Sequence, residues 1–252
     1  MGKEAKLRVG CCGFPMAHAA YYERFPVVEV QQTFYQPPRI ATLERWRAEA
    51  PEGFEFTLKA WQLITHEPSS PTYRRLRIPI ASGRHERYGA FRPTPEVFAA
   101  WENTLVCARA LQAGIVVFQS PASFTPTPHH MENLQEFFAK LRNTPHGPRL
   151  AWEPRGWPLE QAATICQELG LVRVVDPFQD APPETGLRYL RLHGLTGYRY
   201  QYSDPDLERL RAWCRCTTYC LFNNGSMAED ASRFLTRAGA SDFVSPGHRS
   251  QE

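Results

Sequence analysis

Lys59 ends an apolar run, Phe54-Glu55-Phe56-Thr57-Leu58-Lys59, in a chain whose only other lysines are Lys3, Lys6 and Lys140, the rest of its 29 basic residues being arginine. A compact ammonium at that place would neutralise a phosphate, or act as a base if burial lowers its pKa. A salt bridge to Glu29 is the plainer reading. Further along, Ala151-Trp152-Glu153-Pro154-Arg155-Gly156-Trp157 offers Glu153 as general acid, base or metal ligand. Arg155 would grip a carboxylate or phosphate through two parallel hydrogen bonds. The alternative is a structural Glu-Arg pair. His193, in Arg191-Leu192-His193-Gly194-Leu195-Thr196-Gly197, would exchange protons near neutral pH, although a lone strand histidine is more often structural.

These residues share one placement. Side chains alternate along a strand, so polar residues two apart near its C-terminal end share a face. Glu29, Gln31 and Thr33 share parity in the second apolar run, Thr57 and Lys59 in the third, Glu153 and Arg155 in the fifth, Arg191 and His193 in the seventh. Gln119, Asp176 and Asn223 close the fourth, sixth and eighth. Burying such groups costs several kcal/mol each, on the order of 2–7, unless they are paired, so they require a mutual network or a ligand.

The elements that must position them alternate. Eight short runs rich in Val, Ile, Leu, Phe and Tyr read as strands: 7–11, 27–31, 54–59, 115–119, 149–153, 171–176, 188–193 and 218–223. Amphipathic stretches between them predict helices over 39–49, 95–112, 131–142, 158–169, 204–214 and 227–238, with a shorter one near 17–24. Pro37-Pro38, Pro95 and Ser203 are start signals and Gly170 a stop signal, whereas the proline-rich 177–186 lacks a full helix. Strands and helices in this order, without a linker, predict a single α/β domain, a (β/α)8 TIM-type barrel of the usual length of about 250 residues. In that architecture active sites collect at the C-terminal ends of the strands, and the loops after strands seven and eight cradle phosphate. Gly194 and Gly197, and Asn223-Asn224-Gly225-Ser226, fall in those loops. A long excursion over 64–95, heavy in Arg, Pro and Tyr, interrupts the pattern and reads either as a surface insert or as a lid or anion-binding arm.

Several function classes are excluded or weakened. A formal charge of +3 is too balanced for charge-driven capture of nucleic acid. No segment approaches the ~18 apolar residues of a membrane span. The first strand follows Met1-Gly2-Lys3-Glu4-Ala5-Lys6 with no signal region, which predicts a cytoplasmic protein. The seven cysteines are odd in number and irregularly spaced, as expected for reduced thiols. Val9-Gly10-Cys11-Cys12-Gly13 lacks the dinucleotide fingerprint, and neither a P-loop nor the Gly-x-Ser-x-Gly elbow is present. Cys12 has no assignable histidine to activate it as a nucleophile. The sequence specifies no definite cofactor; Glu29, Glu153, Asp176 and His193 offer ligands for a divalent metal without a zinc-type spacing.

The stretches Gly10-Cys11-Cys12-Gly13-Phe14, Val28-Glu29-Val30-Gln31-Gln32-Thr33-Phe34-Tyr35, Phe56-Thr57-Leu58-Lys59-Ala60, Thr65-His66, Phe118-Gln119-Ser120-Pro121-Ala122-Ser123-Phe124, Trp152-Glu153-Pro154-Arg155-Gly156, Asp176-Pro177, Arg191-Leu192-His193-Gly194 and Phe222-Asn223-Asn224 resemble the domain of unknown function 72 family, the YecE-like proteins, over nearly the whole chain. The resemblance implies a (β/α)8 barrel and leaves activity open. A likeness of that family to barrel-type apurinic endonucleases would imply phosphodiester chemistry, an analogy at fold level only. This chain departs from the family's opening: Phe14 stands where a tryptophan is common, and Cys11 and Cys12 replace small hydroxyl residues.

The leading expectation is therefore an enzyme, a hydrolase acting on a small anionic, phosphorylated or phosphodiester substrate. Lys59, Glu153, Asp176 and His193 are its catalytic candidates. Glu29, Gln31, Tyr35, Gln119, Arg155, Arg191, Gly194, Asn223 and Asn224 are its substrate-binding candidates. The competing readings are a non-catalytic nucleic-acid binder using the arginine-aromatic excursion, and an isomerase or lyase on an unphosphorylated sugar or small acid with Lys59 as base.

Overall fold

Eight parallel strands pair in sequence order and close into a barrel in the computed structural model, which describes residues 5–142, 147–184 and 186–239. The strands are β1 (Leu7–Cys12), β2 (Val27–Val30), β3 (Glu55–Lys59), β4 (Ile115–Gln119), β5 (Arg149–Glu153), β6 (Val172–Val175), β7 (Arg188–Leu192) and β8 (Thr218–Phe222). The helices are α1 (His18–Tyr22), α2 (Gln32–Tyr35), α3 (Ile40–Glu49), α4 (Gln62–Thr65), α5 (Pro95–Leu111), α6 (Pro128–Leu141), α7 (Leu159–Leu169), α8 (Asp204–Ala212) and α9 (Met227–Ala238). The expected strands and longer helices are all present, with ends that coincide or shift by at most three residues.

Local chemistry explains the boundaries. Thr94 and Thr127 each cap a helix by accepting a backbone N–H at the third helical position, and in each case proline follows. Ser203 and Asp206 form a reciprocal capping box at the start of α8. The helix expected over 131–142 begins earlier, at Pro128, because the Thr127-Pro128 start precedes its apolar face. Pro37-Pro38 lies just ahead of α3, which begins at Ile40.

Two parity expectations need correction. Arg155 does not continue the face of Glu153, because β5 ends at Glu153 and Arg155 stands in the turn that follows. Gln31 and Thr33 do not continue the face of Glu29, since β2 ends at Val30 and α2 begins at Gln32. Gln31 is the residue before that helix and has helical backbone angles, so strand parity does not apply beyond Val30. Thr33 turns back instead, its hydroxyl lying 3.0 Å from the Val30 carbonyl and 2.7 Å from the Lys59 carbonyl.

The contacts form two compact units. The first comprises Met1–Glu29, Ala48–Glu55 and Val175–Glu252, and the second Val30–Arg47 and Phe56–Val174. In the first, β7, β8 and β1 pair in continuous register, and Tyr21, Phe25 and Phe54 pack as one aromatic group. In the second, β3, β4, β5 and β6 pair, and Phe91, Phe118, Phe137 and Phe138 lie fully buried with ring centroids 5.1–6.2 Å apart.

The excursion belongs to the second unit and is more structured than a loop. After α4 it makes two 3-10 helices, Pro71–Arg75 and Ser82–Arg87. Its far end then returns along α4: the amides of Gly89, Ala90 and Phe91 donate to the carbonyls of Leu63, Thr65 and Ile64.

Candidate functional site

In the second unit, the candidate side chains gather at the C-terminal ends of β3 and β5. Lys59 is the last residue of β3, 6% exposed, and its ammonium lies 3.6 Å from the centroid of the Phe34 ring. Placing a cation over an aromatic face gains electrostatic energy from the ring quadrupole, more so when water is excluded. The ring of His66 stands nearly perpendicular to the same Phe34 ring, centroid to centroid 4.9 Å. His66 is held at three points: its Nδ1 lies 2.8 Å from the Thr65 hydroxyl, its amide donates to the Gln62 carbonyl, and its carbonyl accepts from the Tyr73 hydroxyl of the excursion. Burial, then the positive charges of Lys59 and Arg155, push the imidazole pKa down to about 3, so the ring is neutral at ordinary pH.

β5 contributes the complementary pair. Glu153 is buried and closes the strand; the half-exposed Arg155 donates from Nε to its Oε1 at 2.7 Å. Gln119 ends β4 in register with Glu153 and is 9% exposed. Tyr35 closes α2, where its carbonyl accepts from Gln62 and the Arg75 guanidinium covers its ring at 4.1 Å.

The first unit places another set. Glu29 and Arg191 are buried and ion-paired at 3.0 Å, and the Tyr189 hydroxyl donates to the other Glu29 oxygen at 2.8 Å. Asp176 accepts the His193 amide at 3.0 Å and the Phe178 amide at 3.1 Å, so its carboxylate shapes the turns after β6 and β7. Asn223 Nδ2 lies 3.1 Å from His193 Nδ1; with the amide donating, Nδ1 accepts and the imidazole proton sits on Nε2. Gly194 has φ +85°, and a Cβ there would lie 2.3 Å from the Gly197 carbonyl oxygen, so the turn admits only glycine. Its amide donates to the Tyr202 hydroxyl. Asn224 is fully buried, donating to the Tyr200 carbonyl and the Asp230 carboxylate. These bonds make Asn224 part of the protein's own turn after β8.

Cys12 is buried beside Glu29. Burial, then that carboxylate, raises its thiol pKa far above the usual value, which suits a packed thiol and not a thiolate nucleophile. All seven cysteines are free. Among the described residues, no three His, Cys, Asp or Glu side chains come together as a metal-binding group, and no helix is long and apolar enough to cross a membrane. Part of the excursion's positive charge is neutralised within the protein, through Arg87–Glu96 at 2.6 Å and Arg92–Glu67 at 2.5 Å.

Strand-end reasoning missed His66 and Phe34 as members of the second-unit cluster. Both follow the strands on short helical turns, where a period of two carries no information. The Thr65-His66 pair just after β3 was the available signal.

Eight parallel strands with candidate side chains at their C-terminal ends define a TIM-type barrel. Residues 17–250 match the model described as "Protein of unknown function DUF72", and the chain belongs to that family. A 73-residue stretch is 36% identical to the UPF0759 protein YunF of Bacillus subtilis (strain 168), covering 29% of this chain and 23% of that one. A solved DUF72 family protein from Enterococcus faecalis V583 is similar over 94% of this chain and 99% of its own, at 19% identity and a TM-score of 0.69. A xylose isomerase domain containing protein from Salmonella typhimurium LT2 is similar over 95% and 98%, at 13% identity and a TM-score of 0.57. At these identities the two structures bear on the fold alone.

Proposed function

We propose that the chain is an enzyme that binds a small phosphorylated substrate where β3 and β5 end, and hydrolyses its phosphate ester. The observation that carries this reading is the setting of His66: a nearly buried, neutral imidazole on which the positive charges of both Lys59 and Arg155 bear. Lys59 over the Phe34 ring beside this enclosed neutral group, with the guanidinium of Arg155 held next to it by Glu153, makes a place that favours an anion.

Within this reading Lys59 and Arg155 bind the phosphoryl oxygens and stabilise the charge that grows on them. Glu153, oriented by Arg155, takes a proton from water, whose oxygen forms the new bond to phosphorus. The ester P–O bond breaks, and the leaving oxygen takes a proton from His66. His66 carries that proton once the bound anion's own charge beside the ring offsets burial, the main cause of its depressed pKa, as well as the charges of Lys59 and Arg155. Substrate binding is therefore coupled to proton uptake by the imidazole.

The test is phosphate release from a panel of sugar phosphates, phosphomonoesters and phosphodiesters, paired with calorimetry of inorganic phosphate binding. Wild-type turnover and phosphate binding, both lost in Lys59→Met and Arg155→Met, are expected. No turnover by wild type, or phosphate binding unchanged in both variants, overturns the reading. A free sugar bound as tightly as its phosphate ester would do so too, in favour of an isomerase or lyase using Lys59 as base.

A further inference from the structure

The excursion also roofs a cavity of about 600 Å³ in the second unit, within the ~300–1,000 Å³ range of small-molecule sites. Its apolar wall comes from Leu63 on α4 and from Leu76, Ile80 and Tyr88 of the excursion. Its charged groups are of one sign. Arg77 and Arg84 line it, no lining residue is acidic, and among the described residues neither guanidinium makes an ion pair. Gln36 and Trp61 are also in the lining, and the Trp61 indole Nε1–H, out of water's reach, has no hydrogen-bond acceptor. A buried donor left without a partner costs roughly 1–3 kcal/mol, and buried polar groups in proteins are almost always satisfied.

We infer that this cavity is a binding site for a small amphipathic carboxylate, an apolar body carrying one acidic group. The apolar body replaces water against Leu63, Leu76, Ile80 and Tyr88. The carboxylate meets Arg77 and Arg84, and the Trp61 indole, which lines the same cavity, senses the occupant. Guanidinium is the group best matched to a carboxylate, because its paired N–H groups fit both oxygens. Neutral ligands of the same shape would leave Arg77 without a counter-charge and Arg84 with only the more distant carboxylate of Glu96. Ile78, itself in the lining and 81% exposed, carries the apolar wall out to solvent. The site uses none of Lys59, His66, Glu153 or Arg155, so its occupancy does not depend on the proposed catalytic reading.

The experiment uses the full chain labelled with 15N at tryptophan, titrated with 2-naphthoate and, separately, with neutral 2-naphthalenemethanol. The Trp61 indole resonance, assigned by its loss in Trp61→Phe, is expected to move saturably with 2-naphthoate. The alcohol should bind at least tenfold more weakly. Arg77→Ala combined with Arg84→Ala, both at exposed positions, should weaken 2-naphthoate binding by tenfold or more while leaving the other indole resonances in place. An indole resonance that does not respond, equal affinity for acid and alcohol, or undiminished affinity in the double variant would each overturn the inference. Phosphate release by the double variant should equal that of wild type, so failure here is separable from failure of the catalytic proposal.

Discussion

The ammonium of Lys59 stands 3.6 Å from the centroid of Phe34, and the same ring packs nearly perpendicular to that of His66. Phe34 thus fixes both the cation that would hold an anion and the imidazole that would answer it. Replacing Phe34 by Leu keeps the site apolar but removes the π-face. The cation–π contribution of about 0.5–2 kcal/mol should be lost, with a packing cost of similar size. A denaturation midpoint lowered accordingly, together with weaker phosphate binding, is the expected outcome. A variant of unchanged stability and affinity would mean that the ring is a bystander.

His66 should make stability depend on pH in a defined window. Its folded pKa of about 3 lies below the ordinary value of 6.5, because of burial first and the charges of Lys59 and Arg155 second. Between those values the unfolded chain binds the proton and the folded chain does not. The contribution is therefore complete above pH 6.5 and declines as pH falls towards 3. At pH 4 the loss from this one residue is on the order of 3 kcal/mol. Urea unfolding of wild type and His66→Gln at pH 7, 5.5 and 4 measures it, and the variant should show a shallower decline. Lys59→Met should move the imidazole resonance titration of His66 to higher pH.

The buried Glu29–Arg191 pair makes a sharper claim about the first unit. Tyr189 donates to the Glu29 oxygen Oε2, and Arg191 meets Oε1, so the carboxylate is satisfied on both sides. Removing one partner of a buried pair strands a charge and costs about 3–5 kcal/mol, whereas replacing both with apolar residues is often neutral. Arg191→Met should therefore destabilise strongly, and Glu29→Leu with Arg191→Met should recover most of the loss. A double variant as unstable as the sum of the two singles would show that the pair is uncoupled.

How far the sequence discloses this arrangement depends on the element. The apolar period marks every strand because a parallel sheet buried on both faces needs near-continuous runs such as Ile115-Val116-Val117-Phe118, and caps such as Ser203 mark helix starts. Alternation correctly puts Lys59 and Glu153 at strand ends. It says nothing of Phe34 or His66, which stand on turns, nor of the Gln31 and Thr33 positions once β2 gives way to α2. The excursion's order was hidden for a different reason. It rests on contacts between distant residues, such as Tyr73 with the His66 carbonyl, and on amides that add to α4 rather than on any local period.

Gly89 is where the excursion and the candidate site meet, and it supplies the last prediction. Its φ is +75°, and a Cβ there would lie 2.2 Å from the His66 carbonyl oxygen, a backbone atom that cannot swing aside. The Gly89 amide donates to Leu63 in the same turn, so relief requires the excursion to lift from α4. Gly89→Ala should thus destabilise by about 2 kcal/mol or more, combining the cost of positive φ with that of the clash. It should also let water reach His66. The imidazole pKa, read by NMR titration, should rise from about 3 towards 6.5 as burial is relieved, and phosphate affinity should fall with it. A stable Gly89→Ala protein with the His66 titration unmoved would show that the excursion does not hold the site.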